Sequence, residues 1–354
     1  MSGNPCRIRL PTWLMSLIAG CSMFGMAMDA GTAMAGEQVK TICIGHFLVD
    51  VPRDADARAT GSYWGVRVEP LGHQEFVAVE EELKGKAEDL ERQGMRRTAW
   101  GDAFDRRAGR DPERHYAPTR LIALESDRAN EQVVLGYHGD DSGGGIVAEV
   151  HRVLDGRRYR FSVANAGADK YPVARDRVVG AAGRYSPLQR GEIPEEPGFC
   201  IGDGVFREDG PRDVGGDGTS VVRFSQYPNV VFSIDVSGLL ERPNESLLEE
   251  RISADFGLLA RLSSNVKTLQ RGKARYAEQA GYEVGISAPN EDEPGTRMQK
   301  FFFGTEGKVR DARHPVLEVQ LITGESGPSP LSDEEASVLW KQLVRSLRLR
   351  SGSL

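Results

Sequence analysis

Cys43-Ile44-Gly45 near the start of the chain is answered by Cys200-Ile201-Gly202 near its middle. Pro52-Arg53-Asp54 follows the first copy and Pro211-Arg212-Asp213 the second, nine and eleven positions after the cysteine. The cysteines stand 157 positions apart, the length of an ordinary domain. A phrase that recurs at that interval predicts two related domains, each opening on the same strand. The chain has only 4 cysteines in 354 residues, so composition alone does not produce the match.

Outward from the first copy, Thr41 to Val51 reads as a strand and Tyr63 to Pro70 as another. Phe76 to Gly94 has the spacing of an amphipathic helix, with Gly94 as its C-cap. Trp100 to Pro118, polar and dense in arginine, reads as a loop. Strands follow at Arg120 to Leu124, Gln132 to Tyr137 and Ile146 to Leu154. Asp155-Gly156 then turns the chain into a returning strand, Arg158 to Val163. A helix over Val173 to Ala182 closes this half.

The second copy opens a similar order. Phe199 to Phe206, Val221 to Phe224 and Val230 to Val236 read as strands, and Ser246 to Leu262 as an amphipathic helix. Lys273 to Tyr276, Tyr282 to Ser287, Met298 to Gly304 and Val316 to Ile322 are further strands. Ser332 and Glu335 form a capping box for a last helix that runs to Leu347. Between the halves, Pro187, Gly191, Pro194, Pro197 and Gly198 mark a stiff linker. The predicted fold is α+β: two similar domains, 36–185 and 199–354, joined by 186–198. Each is a mostly antiparallel sheet with helices packed on one face.

The first 35 residues read as an address rather than as fold. Arg7 and Arg9 precede an uncharged run from Leu10 to Met28, and Ala33-Met34-Ala35 places small residues before a signal-peptide cleavage at Gly36. Ile18-Ala19-Gly20-Cys21 also fits a lipobox, which would make Cys21 the lipidated N-terminus. Export to the periplasm follows on either reading. Cleavage before Gly36 leaves Cys43 and Cys200, which would either pair in an oxidising compartment or remain buried thiols. A bridge between them would staple one domain to the other.

Composition is that of a soluble globular chain, 39% hydrophobic and 27% charged. A net charge of −7 disfavours a nucleic-acid partner. The sequence carries no metal-binding or cofactor motif: the six histidines have no metal spacing, and Gly304 to Lys308 lacks the first glycine and the final hydroxyl of a phosphate loop. Asp141-Ser142-Gly143-Gly144 is similar to a serine-protease nucleophile segment but departs from it at Asp140 and Gly145. A hydrolase using Ser142 with His138 or His151 is therefore one alternative, and a non-catalytic envelope scaffold another. Two charged stretches suit partner binding better: Arg106, Arg107 and Arg110 in one loop, Glu291, Asp292 and Glu293 in another.

The opening Cys43-Ile44-Gly45-His46-Phe47-Leu48-Val49-Asp50-Val51-Pro52, taken with Gly198-Phe199-Cys200-Ile201, resembles the two domain openings of type VI secretion lipase immunity proteins. These are two-domain periplasmic proteins that neutralise the fourth class of phospholipase effectors. The resemblance implies a non-catalytic protein without cofactor, whose partner is a cognate secreted phospholipase. It implies that the two domains clamp the effector's lid region between them. The membrane would be touched only through a lipid on Cys21.

Overall fold

The computed structural model describes residues 38–353 except 94–101, 104–105, 110–118, 140–144, 167–169, 190, 211–213, 243–247, 249–251, 253–255, 257–264, 291–294 and 325–326. Residues 1–35, with Cys21, and the second Pro-Arg-Asp therefore lie outside the described residues.

Each Cys-Ile-Gly is the end of a strand and the start of a turn. Strands β1 (Val39–Ile44) and β2 (Phe47–Pro52) form one hairpin, β10 (Phe199–Ile201) and β11 (Gly204–Phe206) the other. Gly45 (φ +57) and Gly202 (φ +64) open the two-residue turns, where a left-handed first residue selects glycine. The single strands expected over Thr41 to Val51 and Phe199 to Phe206 are thus hairpins. Cys43 and Cys200 are disulfide-bonded, with Cα atoms 5.8 Å apart. Gly45 and Cys200 also exchange backbone hydrogen bonds of 3.0 and 2.9 Å, so the hairpins lie side by side.

Behind the hairpins runs one antiparallel sheet of twelve strands. The first half supplies β3 (Asp56–Tyr63), β4 (Val66–His73), β5 (Leu121–Asp127), β6 (Gln132–His138), β7 (Ile146–Leu154) and β8 (Arg157–Ala166). The second supplies β12 (Gly216–Arg223), β13 (Val230–Ser237), β14 (Lys267–Tyr276), β15 (Gln279–Pro289), β16 (Arg297–Gly304) and β17 (Val316–Thr323). The order is β14-β15-β16-β17-β13-β12-β3-β4-β8-β7-β6-β5. Outward from the centre, both halves follow the same path through their own strands.

The centre is the pairing of β3 with β12, in which Gly61 faces Gly218. These glycines stand as far apart in the chain as the two cysteines, so one pseudo-twofold axis relates both pairs. A Cβ on Gly218 would lie 2.9 Å from Ile44 Cδ1, and one on Gly61 3.2 Å from Ile201 Cδ1. It would also run into the Asp217 carbonyl oxygen. Each glycine leaves room for the isoleucine of a Cys-Ile-Gly. Strand β3 was not legible as a strand. Its run Asp-Ala-Arg-Ala-Thr-Gly-Ser-Tyr has little β-branching, and pairing on both sides overrides that weak preference.

The hairpins are exchanged. Helix α2 (Tyr171–Arg184) of the first half leads into β9 (Tyr185–Pro187), which pairs with β11 of the second-half hairpin. Helix α3 (Asp333–Ser346) of the second half leads into β18 (Arg348–Leu349), which pairs with β2 of the first-half hairpin. Phe206 is carried into the first half in this way, stacked on Tyr63 at 4.9 Å and against Tyr185 and Phe161. Residues 186–198 are fastened too: buried Arg350 donates to the carbonyls of Pro194, Glu196 and Gly198 at 2.6, 2.8 and 2.6 Å. A single buried cluster runs through both halves.

The α+β class and the mostly antiparallel sheet are those expected. The helices, expected on one face, occupy both. Helix α1 (Phe76–Arg92) packs Val79, Leu83 and Leu90 on Val133 and Leu135 of β6, whereas α2 packs on the side of Val134. Successive strand residues point to opposite faces, so both sides of β6 are apolar and both need a cover. Leu248, Ile252 and Phe256, helical and four residues apart, do the same for Tyr282, Val284 and Phe302, opposite α3. Ser332 caps α3 in the expected box with Glu335.

Phe206→Ala should lower the unfolding free energy by about 3–5 kcal/mol, since it empties the joint between exchanged hairpin and partner half. Chemical denaturation should keep one cooperative transition. Two transitions, with only one displaced, would show that the halves unfold separately.

Candidate functional site

The sheet register locates an open tract on the α1 side. Leu135, under α1, is opposite Glu149, which is opposite Ser162, then Arg67, Ser62, Asp217 and Ser237 on successive strands. The neighbouring row runs Thr60, Thr219, Asp235, Glu318. Beyond it Gln320 is opposite Phe302, which lies under Leu248, Ile252 and Phe256. All these side chains share one face. Helix α1 stands on it at one end and the second helical segment at the other. Between them β8, β4, β3, β12, β13 and β17 carry no helix among the described residues. At ~4.8 Å per strand the opening is on the order of 24 Å across.

The floor of this tract is polar and bears both charges. Thr60, Arg58, Arg67 and Asp217 are exposed, and Ser62, Thr219, Asp235 and Glu318 are half-buried. Thr219 donates to Asp235 at 2.5 Å, and Ser237 donates to Asp217. The opposite face of the same strands carries Tyr63, Val222, Phe232, Ile234 and Leu321, all buried. A period of two therefore separates a core face from a face available to a macromolecule.

Residues 192–352 match the family described as Tle cognate immunity protein 4 C-terminal domain. That stretch belongs to the Tli4 family. The fold agrees over most of the chain. It matches the apo structure of immunity protein TplEi of the T6SS from Pseudomonas aeruginosa with a TM-score of 0.71 and 23% identity, over 88% of this chain and 97% of that one. A chain of the Tle4–Tli4 complex gives the same values. TplEi complexed with an "L" peptide gives a TM-score of 0.64 at 23% identity, over 88% and 98% of the two chains. No curated protein sequence matches the chain. The resemblance read from the paired openers is borne out.

Of the charged stretches read from the sequence, Arg106 and Arg107 lie among the described residues. Arg106 and Arg107 are exposed helical residues that precede β5; Arg106 donates to the Asp102 carbonyl at 3.1 Å. Arg110, Glu291, Asp292 and Glu293 lie outside the described residues. Their flank Asn290 follows β15, which sits in the other half and ends at the opposite end of the strands from the start of β5. No sequence pattern announced the open floor, because Thr60 and Thr219 meet only through the β3–β12 pairing.

The histidines do not form a catalytic pair. His138 is opposite Ile146 and His151 opposite Val133, so they lie about 17 Å apart along the strands and on opposite faces. Ser142 lies outside the described residues. His151 is occupied: its Nδ1 accepts from Arg158 at 2.8 Å and its Nε2 donates to Glu149 at 3.3 Å. Among the described residues no group of acidic, histidine and cysteine side chains could hold a metal ion. No described helix is long and apolar enough to cross a membrane.

A charged lattice fixes α1 as one wall of the tract. Arg158, itself buried, reaches Glu82 of α1 at 2.6 Å, and Lys86 of α1 reaches Glu149 at 3.0 Å. Burial pushes the Glu149 carboxyl up, but the His151 hydrogen bond and the Lys86 ammonium outweigh it and hold the group at about 2. Burial pushes His151 down, so it is neutral where an exposed imidazole would charge. Burial and the Glu149 charge raise the Tyr137 hydroxyl to about 12.

The pH dependence follows in sign. A depressed carboxyl stabilises the fold above its unfolded value of 4.5 and loses that contribution as pH falls towards about 2. His151, depressed from 6.5, adds a loss that begins below that pH, because the unfolded imidazole takes up a proton first. Unfolding midpoints should therefore fall from pH 7 to pH 3, and Glu149→Gln should flatten the fall between pH 4.5 and 3. An equal slope in variant and parent would contradict the assignment.

Proposed function

We propose that the chain is a periplasmic immunity protein that inhibits a type VI secreted phospholipase effector by holding the effector's lid region on the open tract. The observation that carries this reading is the tract itself, a wide polar floor flanked at both ends by pseudo-symmetric helical walls. Residues 36–185 and 199–354 are the two arms and 186–198 the joint. The fold match to a chain of the Tle4–Tli4 complex supports a protein partner. The protein acts by binding and not by catalysis. It needs only to bind the closed lipase more tightly than the open one, which draws the population away from activity.

A rigid frame suits this task. The shared sheet, the exchanged hairpins and the disulfide hold the walls at a set separation, so little order has to be gained on binding. The disulfide also fits an exported protein.

Thr60→Arg puts a long cation on the floor beside the axis. It should weaken inhibition of the cognate phospholipase at least tenfold, while stability changes by about 0.5 kcal/mol or less. Lys341→Glu, exposed on α3 behind the sheet, should leave inhibition unchanged. Equal potency of parent and Thr60→Arg would exclude the tract as the binding surface. Mass spectrometry of the exported protein should find a mature N-terminus at Gly36; diacylglycerol on Cys21 would replace that cleavage by a lipid anchor.

A further inference from the structure

The turn between β3 and β4 holds a residue that its geometry disfavours. Trp64 and Gly65 form a two-residue hairpin turn with φ +52 and +75, both left-handed. Such turns select Asn-Gly, and a bulky side chain in the first place is an outlier. The surroundings are shaped to keep it there. The Trp64 N–H donates to the Gly215 carbonyl at 2.6 Å, and the indole lies so close over Gly215 that a Cβ there would collide with it.

Trp64 is nevertheless 43% exposed. A tryptophan kept for the core would be buried, and one kept for the turn would be better replaced by asparagine. What remains is the surface it presents. Leu240 and Val309 are exposed to a similar extent, 44% and 43%, at the same end of the sheet. They are linked to the turn through Gly238, whose N–H donates to the Gly216 carbonyl, and through Arg310, whose N–H donates to the Leu239 carbonyl at 2.8 Å. Ser62 and Asp217, paired on neighbouring strands, lead from the turn into the polar tract.

We propose that Trp64 is the anchor by which the protein grips its effector, inserting into an apolar recess of the partner at the rim of the tract. This rests on the function proposed above and names the residue that supplies much of the binding energy. Backbone strain that a fold retains beside an interaction surface is commonly tied to function, and tryptophan leads the residues that dominate interfaces.

The test uses exported protein and its cognate effector in a binding titration. Trp64→Asn should fold with an unfolding midpoint at or above the parent's, since asparagine suits the turn, yet bind at least about 30-fold more weakly. Trp64→Phe, which keeps an aromatic surface, should recover at least half of that loss on a logarithmic scale. Val173→Ser, on exposed α2 behind the sheet, should bind as the parent does. Affinity of Trp64→Asn within tenfold of the parent, or an equal loss in Val173→Ser, would overturn the assignment and leave the immunity function standing. A parent protein that fails to bind the effector would remove both.

Discussion

Two strands of the same chain, β3 and β12, meet antiparallel with glycine against glycine, and the molecule is arranged about that meeting. Glycine is required there by what lies above it. Ile44 and Ile201, at the tips of the two hairpins, descend to within ordinary side-chain reach of the Gly218 and Gly61 backbones. A larger residue at either place would lift a hairpin from the sheet and part the two strands. The disulfide then ties together hairpins that the glycines have already allowed to approach.

The exchange of hairpins makes this contact one for the whole chain. Each half finishes its smaller sheet with the opener of the other, so neither can complete its core alone. Trp340, fully buried and stacked on Phe301 at 5.7 Å, belongs to the same cluster as Phe206 in the first half. The result is a rigid frame. A face spread over six strands stays registered only if its central pair cannot slide, and here the pleat, the glycines and the hairpins all oppose a shift.

The chemistry of the open face follows from the same alternation. Floor residues alternate with core residues along the strands: Ser62 beside Tyr63, Val221 beside Val222, Ser233 beside Phe232 and Ile234. Core packing therefore sets the floor's position, while its own side chains remain free to suit a partner. Under α1 the floor becomes a buried charged lattice, where Glu149 and Arg158 are each held by more than one partner. That lattice fixes the wall; no reaction is visible in it.

Much of this was legible from residues alone. Ile146 to Leu154 and the capping box at Ser332 are local signals, since propensity and side-chain-to-backbone bonding act within a few residues. The repeated Cys-Ile-Gly announced two related halves because each residue of the triplet has its own physical duty: a sulfur to bridge, an apolar side chain for the axis, and a left-handed turn. What the chain could not disclose is where those duties are met. The strand Asp56–Tyr63, the exchange of the hairpins, the second face occupied by α1 and the open tract all depend on contacts between elements that are not neighbours in the sequence, the β3–β12 and β2–β18 pairings spanning more than a hundred positions. No local preference encodes such pairings; burial of both hairpins against one sheet selects them.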